Sequence, residues 1–264
     1  MDKCLELEGR YSVDTRRQLI VFTAFLMTNV VLAILALALG LQGQPLGEPG
    51  APSSVPSFPA WLLALGSGGV ALVVYGFLGL AGLWFARRLS LPGVFKEDAG
   101  WRNWVIIPMA LGMTVGVVMV LFDRLAALTG DWGGFEHPPF PLSLIASGTA
   151  GIGEEIMFRM FVLGLWAFLL NLVLKRWEAK NVALWVGNLL AALASGAGHL
   201  PATMMLLNVS TPADIPTPVL AEVFVLNGLV GLVAGERYIR YGLVAAVGVH
   251  FWADIVWHVL YGIL

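Results

Sequence analysis

The sequence predicts an all-α, polytopic membrane helix bundle. Of its 264 residues, 58% are hydrophobic and only 12% are charged, and the mean hydropathy is +0.83. A soluble domain carries about 25% charged residues, so this composition indicates a membrane protein. The apolar residues also cluster into runs of the ~20 residues that a helix needs to cross a bilayer.

Seven such spans are predicted along the chain, at residues 18–42, 60–86, 103–128, 142–174, 181–199, 217–235 and 241–263. The first is too long for the apolar core of a signal peptide and lacks a clear small-residue cleavage site, so we expect it to be retained. The fourth is longer than one straight crossing requires, so we expect it to be tilted, kinked or interfacial at its start. Residues 43–59 are rich in Pro, Gly and Ser and predict a flexible external loop.

The positive charges between the spans indicate how the bundle is oriented. Thirteen lysines and arginines lie in the N-terminal tail and in the connections expected on its side, whereas the other side holds only Arg124. The positive-inside rule therefore predicts a cytoplasmic N-terminus and an external C-terminus. We expect a multi-pass protein of the cell membrane, in a prokaryotic plasma or inner membrane.

Charge and cysteine content exclude several other classes. The formal net charge is −2 and there is no basic tail, so no nucleic-acid partner is expected. The single cysteine, Cys4, rules out an intrachain disulfide and a cysteine-based metal site. The partners we expect are the lipid bilayer and a membrane-associated protein or peptide; the sequence predicts no particular oligomeric state.

Ionisable side chains within the spans are the main candidates for function, because each costs a few kcal/mol to insert and usually marks a functional site. The predicted set is Glu154, Glu155, Arg159, His199, Glu222, His250, Asp254 and His258. Glu222 and His258 lie close to the expected outer boundary, and His137 lies in a loop, so we assign these three no role. Four tryptophans are expected in the interfacial belts, namely Trp101, Trp104, Trp132 and Trp185.

Helical spacing divides the two adjacent glutamates between different neighbours. Residues four apart share a helix face, so Glu155 and Arg159 are placed to form an ion pair. Glu154 points about 100° away from Glu155. By the same spacing His250 and Asp254 can form a hydrogen bond.

Small residues next to these side chains predict close helix contacts. Residues 147–153 read SGTAGIG and residues 194–199 read ASGAGH. Small residues allow membrane helices to approach closely. We therefore expect Glu154, His199 and His250 to be brought together from three helices.

The order of these motifs resembles the CPBP family of intramembrane proteases, which contains CAAX prenyl endopeptidases and bacteriocin-processing enzymes. The pattern is E-E-x-x-x-R at 154–159, a histidine ending a later helix at 199, and H-x-x-x-D at 250–254. Residues 231–254 also resemble the family's Gly-rich helix, short basic turn and final histidine helix. The likeness covers about 140–260. We therefore expect a single membrane domain with two parts, namely three N-terminal spans with a cytoplasmic tail (1–128) and a core of four spans (129–264).

Two positions depart from the family pattern. Ser195 stands where the family usually has phenylalanine, and Asp254 stands where it commonly has asparagine. The serine is expected to alter pocket packing or substrate fit. The aspartate matters more, because an ionised carboxylate cannot donate the hydrogen bond that an amide donates.

The resemblance implies an intramembrane endopeptidase that hydrolyses a peptide bond of a membrane-anchored or lipidated protein or peptide. The family is described as both glutamic and metal-dependent, and we favour the glutamic type. Glu154 would be the general base and His199 would help to hold the water. His250 and Asp254 would stabilise the oxyanion. Glu155 and Arg159 would support the site, and no cofactor is expected. On their predicted spans these residues lie between the midplane and the outer face, so we expect a cavity that opens outward.

Three alternatives stay open from the sequence. Zinc bound by His199, His250 and Glu154 would give a metalloprotease, because two histidines and a glutamate form an acceptable catalytic zinc site. A non-catalytic scaffold or immunity protein could share the fold. A transporter or proton relay would also place ionisable groups inside spans, although related halves and discontinuous helices are not evident.

Overall fold

A computed structural model describes residues 2–40, 58–129 and 137–263, with the backbone alone for 2–14 and 129. Within these residues the chain is helical and contains no strand. The α-helices are α1 Asp2–Gly40, α2 Ala60–Arg88, α3 Ile107–Thr129, α4 Leu142–Glu154, α5 Gly164–Leu174, α6 Lys180–Gly198, α7 Leu200–Leu207, α8 Thr217–Tyr241 and α9 Leu243–Asp254. Three π-helical segments continue them, at Arg102–Ile106 before α3, Glu155–Leu163 between α4 and α5, and Ile255–Leu260 after α9.

Seven helical stretches of the described chain are long and apolar enough to cross a membrane. They are Thr15–Gly40, Ala60–Arg88, Arg102–Leu128, Leu142–Trp177, Lys180–Leu207, Thr217–Tyr241 and Leu243–Ile263. The prediction of an all-α polytopic bundle is therefore confirmed, and the protein is a multi-pass membrane protein. Most of the predicted loop 43–59, Trp132 and the side chain of Cys4 lie outside the described residues.

Two predicted boundaries were wrong. The fifth span does not end at His199, because helix α7 begins at the next residue and carries the stretch on to Leu207. Pro201 is tolerated there because it lies in the first turn of α7, where its missing N–H breaks no helical hydrogen bond. His199 therefore lies about 12 Å before the end of its span rather than at the end.

The sixth span is also longer than predicted. Helix α8 continues to Tyr241, so residues 236–240, expected to form a basic turn, are its last helical residues. The turn itself is Gly242, which has a φ of 91°. A Cβ atom at this position would also lie 2.7 Å from the carbonyl oxygen of Val94. Only glycine adopts this backbone geometry without strain.

The fourth span is one continuous helix whose winding changes at Glu155–Leu163, directly after Glu154. A second change of winding follows Asp254 at the end of α9. Both π-helical segments thus begin next to carboxylates of the predicted site. Single π-helical turns within α-helices are frequent at functional sites.

Glycines hold the helices around the site in close contact. A Cβ atom on Gly151 of α4 would lie 3.2 Å from the backbone nitrogen of Phe251 in α9. A Cβ atom on Gly196 of α6 would lie 2.8 Å from the ring of Phe224 in α8. The close contacts expected at 147–153 and 194–199 are therefore present, and they bring α4 to α9 and α6 to α8.

The helix ends on the N-terminal side are tied together by polar contacts. The Gln18 amide on α1 donates to the Phe95 carbonyl at 2.8 Å and accepts from the Val94 N–H at 2.7 Å. The backbone N–H groups of Leu243 and Val244, at the start of α9, donate to the carbonyls of Gly93 and Val94. The start of α9 therefore lies on the same side as the region of Gln18, and the C-terminal end of α9 lies on the opposite side.

Candidate active site

Glu154 and His199 face each other across a cavity inside the bundle. Glu154 is the last residue of α4, and His199 joins α6 to α7. The His199 Nε2 atom lies 3.7 Å from Glu154 Oε1, and the Ser195 hydroxyl lies 3.5 Å from Glu154 Oε2. The separation between the imidazole and the carboxylate is longer than a hydrogen bond, so a single water can bridge them.

The orientation of His199 is set by its own helix. Its Nδ1 atom lies 2.9 Å from the Ser195 carbonyl oxygen. Because a carbonyl oxygen only accepts, this contact requires a proton on Nδ1. The Nε2 atom is therefore directed toward Glu154 and the cavity.

Glu155 lies behind this pair, and it holds His250. Its Oε1 atom accepts a hydrogen bond from His250 Nδ1 at 2.7 Å, and its Oε2 atom lies 3.3 Å from Arg159 Nε. The Glu155 and Arg159 side chains are 0% exposed. The His250 Nε2 atom is left facing Asp254, at 3.7 Å from Oδ2. Glu155 thus fixes which His250 nitrogen points toward the cavity.

The ion pair between Glu155 and Arg159, predicted from spacing, is present, and so is the proximity of His250 and Asp254. The contact between Glu155 and His250 was not predicted. It joins residues 95 positions apart on two helices, and no local spacing signals such a contact. The Arg159 guanidinium also reaches α8, where a Cβ atom on Gly231 would lie 2.7 Å from Nη2.

Glu154, His199, His250 and Asp254 line one cavity of about 170 Å³. Its polar lining consists of Glu154, His199, Thr203, Asn227, His250, Asp254 and His258. Its apolar lining consists of Met119, Ala150, Val223, Leu226, Val230 and Trp257. A space of this size holds a few waters or one apolar side chain of a peptide next to the carboxylate.

The cavity extends toward one side of the bundle. Along α4 its lining runs from Glu154 back to Ala150, toward the beginning of that helix. Along α9 and the π-helical segment it runs from His250 forward to His258, toward the C-terminus. Both directions lead to the side opposite the N-terminus, because α4 and α9 cross the bundle in opposite senses.

The structure brings together the four residues predicted to be catalytic, since Glu154, His199, His250 and Asp254 all line this cavity. Glu155 and Arg159 lie behind it. Glu222 is 1% exposed on α8 and does not line the cavity.

Two histidines that the sequence left without a role are closely associated with the cavity. His258 lines it, and its Nδ1 atom lies 3.2 Å from Nδ1 of His137, which is packed rather than free in a loop. Burial lowers the pKa of the His137 imidazole below its ordinary value, and the Asp123 carboxylate opposes part of that shift.

Sequence analysis missed other polar residues of this region. Thr203 and Asn227 line the cavity but carry no charge, so a search for ionisable groups passed over them. Asp123 was overlooked within the third span; its carboxylate accepts a hydrogen bond from the Tyr261 hydroxyl at 2.7 Å.

The residues that could hold a metal ion here are His199 and His250, through Nε2, and Glu154. In the described residues, no group of three or more histidine, cysteine, aspartate or glutamate side chains is arranged to hold one. In each histidine Nδ1 is already engaged, by the Ser195 carbonyl or by Glu155.

Residues 136–256 match the model of the family described as Rce1-like, type II CAAX prenyl endopeptidase. This part of the chain is therefore similar to the CAAX prenyl endopeptidase family. The matched region contains Glu154, His199, His250 and Asp254, whereas His258 and the first three spans lie outside it. Neither the curated proteins nor the solved structures yielded a match.

This match confirms the resemblance drawn from the motifs, and the matched family implies a CAAX-type intramembrane endopeptidase. The order of the motifs along three separate spans was sufficient to find the family.

Proposed function

We propose that the protein is an intramembrane endopeptidase that hydrolyses a peptide bond of a membrane-anchored or lipidated protein or peptide, using a water activated by Glu154. The observation that carries this proposal is the facing pair of Glu154 and His199, 3.7 Å apart within the membrane-spanning bundle. Their spacing accommodates a water that both groups can bind. The family match supports the same reaction class.

In the first step the Glu154 carboxylate accepts a proton from this water while the water oxygen adds to the substrate carbonyl carbon. The Nε2 atom of His199 accepts a second hydrogen bond from the water and fixes its direction of attack. Glu154 then delivers the proton to the leaving amine as the tetrahedral intermediate collapses. Glu154 thus serves first as a base and then as an acid.

The oxyanion of the intermediate needs a donor on the other side of the cavity, and His250 supplies it. With Nδ1 donating to Glu155, the Nε2–H of the imidazolium form points toward the cavity. The buried Glu155 carboxylate stabilises that positive charge, and Arg159 holds Glu155 in place. Asp254 acts in one of two forms: ionised, it orients the His250 Nε2–H; protonated, it donates to the oxyanion directly.

A zinc enzyme is the alternative within the same family, with the ion bound by His199 and His250 through Nε2 and by Glu154. In that reaction zinc would lower the pKa of the attacking water. The two mechanisms differ in their response to a chelator. A non-catalytic scaffold or immunity protein instead requires that Glu154 can be replaced without effect.

We further propose that the active site receives its substrates from the external side. The positive-inside rule assigns the N-terminal side of the bundle to the cytoplasm. The cavity lining extends toward the opposite side, which would then be external. Exported or membrane-anchored peptides would then be substrates. Residues 129–264 would form the catalytic core of the single membrane domain, and residues 1–128 its three N-terminal spans and cytoplasmic tail.

The test is cleavage of two fluorogenic peptides, one ending in a prenylated CAAX sequence and one with an apolar membrane anchor, by purified protein in proteoliposomes. We expect Glu154→Gln to lower kcat by about 10²–10⁴, the range for loss of a general base. Glu222→Gln is the matched control, because Glu222 is another buried carboxylate within a membrane span but does not itself line the cavity. Its activity should equal that of the wild type.

The chelator 1,10-phenanthroline separates the two chemistries. Activity that is lost in Glu154→Gln but unchanged by the chelator supports the glutamic mechanism. Loss in both cases, with recovery on adding Zn²⁺, supports the zinc enzyme. Cleavage by Glu154→Gln at the wild-type rate would refute the proposed function.

A further inference from the structure

The amide side chain of Asn227 lines the cavity but takes no part in the proposed reaction. Asn227 belongs to α8, within a membrane-spanning helix. The other lining residues of α8 are apolar, namely Val223, Leu226 and Val230. A polar group on such a face is unfavourable unless it has hydrogen-bond partners, so we expect this amide to bind something.

One hydrogen bond within α8 orients the Asn227 amide. Its Nδ2 atom donates to the Val223 carbonyl oxygen at 2.8 Å. Because a carbonyl oxygen only accepts, this contact places the NH₂ group, rather than Oδ1, against the helix backbone. The second N–H and the Oδ1 atom are left for other partners.

The helix itself does not depend on this hydrogen bond. Helix α8 is continuous from Thr217 to Tyr241, so the backbone N–H of Asn227 already donates to the carbonyl of Val223. The side chain of Asn227 therefore satisfies no backbone group that the helix leaves unpaired. Its local hydrogen bond sets the direction of the amide and keeps its remaining donor and acceptor available.

Thr203 lines the same cavity from α7 and offers less to a ligand. Its hydroxyl donates to the His199 carbonyl oxygen at 2.9 Å, so its one proton is already used. Among the uncharged polar side chains that line the cavity in the described residues, only Asn227 therefore offers both a donor and an acceptor.

A peptide bound inside the bundle needs a group of this kind, because its backbone N–H and C=O groups have no bulk water to bind there. In an extended chain, the N–H and C=O of one residue point to the same side and can pair with a single partner that carries an acceptor and a donor. The two residues joined by the scissile bond each have one of these groups in the reaction. The nearest residues with both groups free are the second residue before the bond and the second after it.

We propose that Asn227 binds the main chain of the substrate at one of these two residues, with Oδ1 accepting from the N–H and Nδ2 donating to the C=O. This role rests on the proposed function, because it states how the substrate of that reaction is held. The contact does not involve the reacting atoms, so it forms equally in the bound substrate and in the transition state. Asn227 therefore sets KM rather than kcat.

The first measurement compares Asn227→Leu with the wild type in proteoliposomes, using the peptide with an apolar membrane anchor. Leucine is similar in size and matches the apolar neighbours, but it makes no hydrogen bond. We expect KM to rise at least about tenfold and kcat to stay within about twofold, because uniform binding is lost and backbone groups of the substrate are left unpaired. Asn171→Leu is the matched control, since Asn171 lies within another span and does not line the cavity. Its KM should equal that of the wild type.

The second measurement removes the donor from the substrate and leaves the protein unchanged. Two ester analogues of the anchored peptide replace the backbone N–H with oxygen, at the second residue before or after the scissile bond, so the scissile amide is kept. We expect one analogue to raise KM of the wild type at least about tenfold and to have no further effect on Asn227→Leu, where the partner is already absent.

Three results would overturn this role of Asn227 while Glu154-dependent cleavage, and with it the proposed function, still stands. The first is an unchanged KM in Asn227→Leu. The second is a lower kcat at unchanged KM, which would place Asn227 behind the reacting groups. The third is that neither ester analogue changes KM of the wild type, a result that does not depend on how any variant folds.

A protein without peptidase activity would refute the proposed function, and peptide binding then decides on Asn227 separately. Binding of the fluorescent anchored peptide is measured by anisotropy. A Kd at least about tenfold higher for Asn227→Leu than for the wild type supports the contact. An equal Kd, or no binding to the wild type, overturns it.

Discussion

Replacing Glu155 with glutamine should destabilise the protein strongly, because it leaves a buried positive charge without its partner. The Glu155 carboxylate contacts Arg159 at 3.3 Å and His250 at 2.7 Å, and neither side chain of the Glu155–Arg159 pair reaches solvent. Removing one partner of a buried ion pair costs about 3–5 kcal/mol. Glutamine keeps an oxygen that can accept from His250 Nδ1, so we expect the lower end, about 3 kcal/mol.

The double variant Glu155→Gln/Arg159→Met separates the loss of charge pairing from other effects. It removes both charges, and methionine fills much of the space of the arginine stem. Replacement of a whole buried ion pair by apolar groups is often close to neutral, so the double variant should be more stable than Glu155→Gln alone. The difference measures the cost of the isolated guanidinium.

The assay is equilibrium unfolding in mixed micelles with increasing SDS mole fraction, followed by circular dichroism. Peptidase activity is measured in parallel, and Glu155→Gln should lose at least about tenfold, because His250 is then held less firmly. A double variant that is no more stable than Glu155→Gln would refute the reasoning. Arg159 would then be stabilised mainly by groups other than Glu155.

Two further predictions concern single side chains. Asp254→Asn installs the residue that is common in the family, and it should keep activity within about tenfold of the wild type; a loss above about a hundredfold in the peptide assay would show that the carboxyl group itself is required. Gly231→Ala should destabilise by about 1–3 kcal/mol in the SDS assay, because its Cβ would lie 2.7 Å from Arg159 Nη2 and 3.0 Å from Ala192 Cβ. Gly228→Ala on the same helix is the control, since a Cβ there meets nothing within 4 Å, and equal losses in both variants would contradict the packing argument.

Sequence reasoning predicted the features that depend on local chemistry. Apolar runs of sufficient length identified seven spans because a bilayer imposes that length on any crossing helix. The ion pair of Glu155 with Arg159 followed from helical spacing alone. The end of the fifth span was misjudged because Pro201 reads as a stop signal, although a proline in the first turn of a new helix is permitted.

The features that sequence reasoning missed depend on which helices are neighbours. Nothing near Glu155 indicates that His250 is its partner, and nothing near His137 indicates that the chain returns to it at His258. Asn227 and Thr203 also line the cavity, but they were not predicted because the candidates were chosen by the cost of placing a charge in the membrane. An amide and a hydroxyl carry no charge. Contacts between helices that are distant in the sequence are set by packing. Helical spacing predicts contacts only within one helix.

The adjacent glutamates have different environments because they face different helices. Consecutive positions on a helix point about 100° apart, so Glu154 and Glu155 cannot share a partner. Glu155 is fully buried and compensated by Arg159, and it anchors His250 of α9. Glu154 is 19% exposed to the cavity and faces His199 at the end of α6. Both oxygens of Glu155 are thus occupied by side chains of the protein, whereas Glu154 is open to the cavity and can bind a water there. The same helix thus fixes the position of the site through Glu155 and leaves Glu154 available for the chemistry.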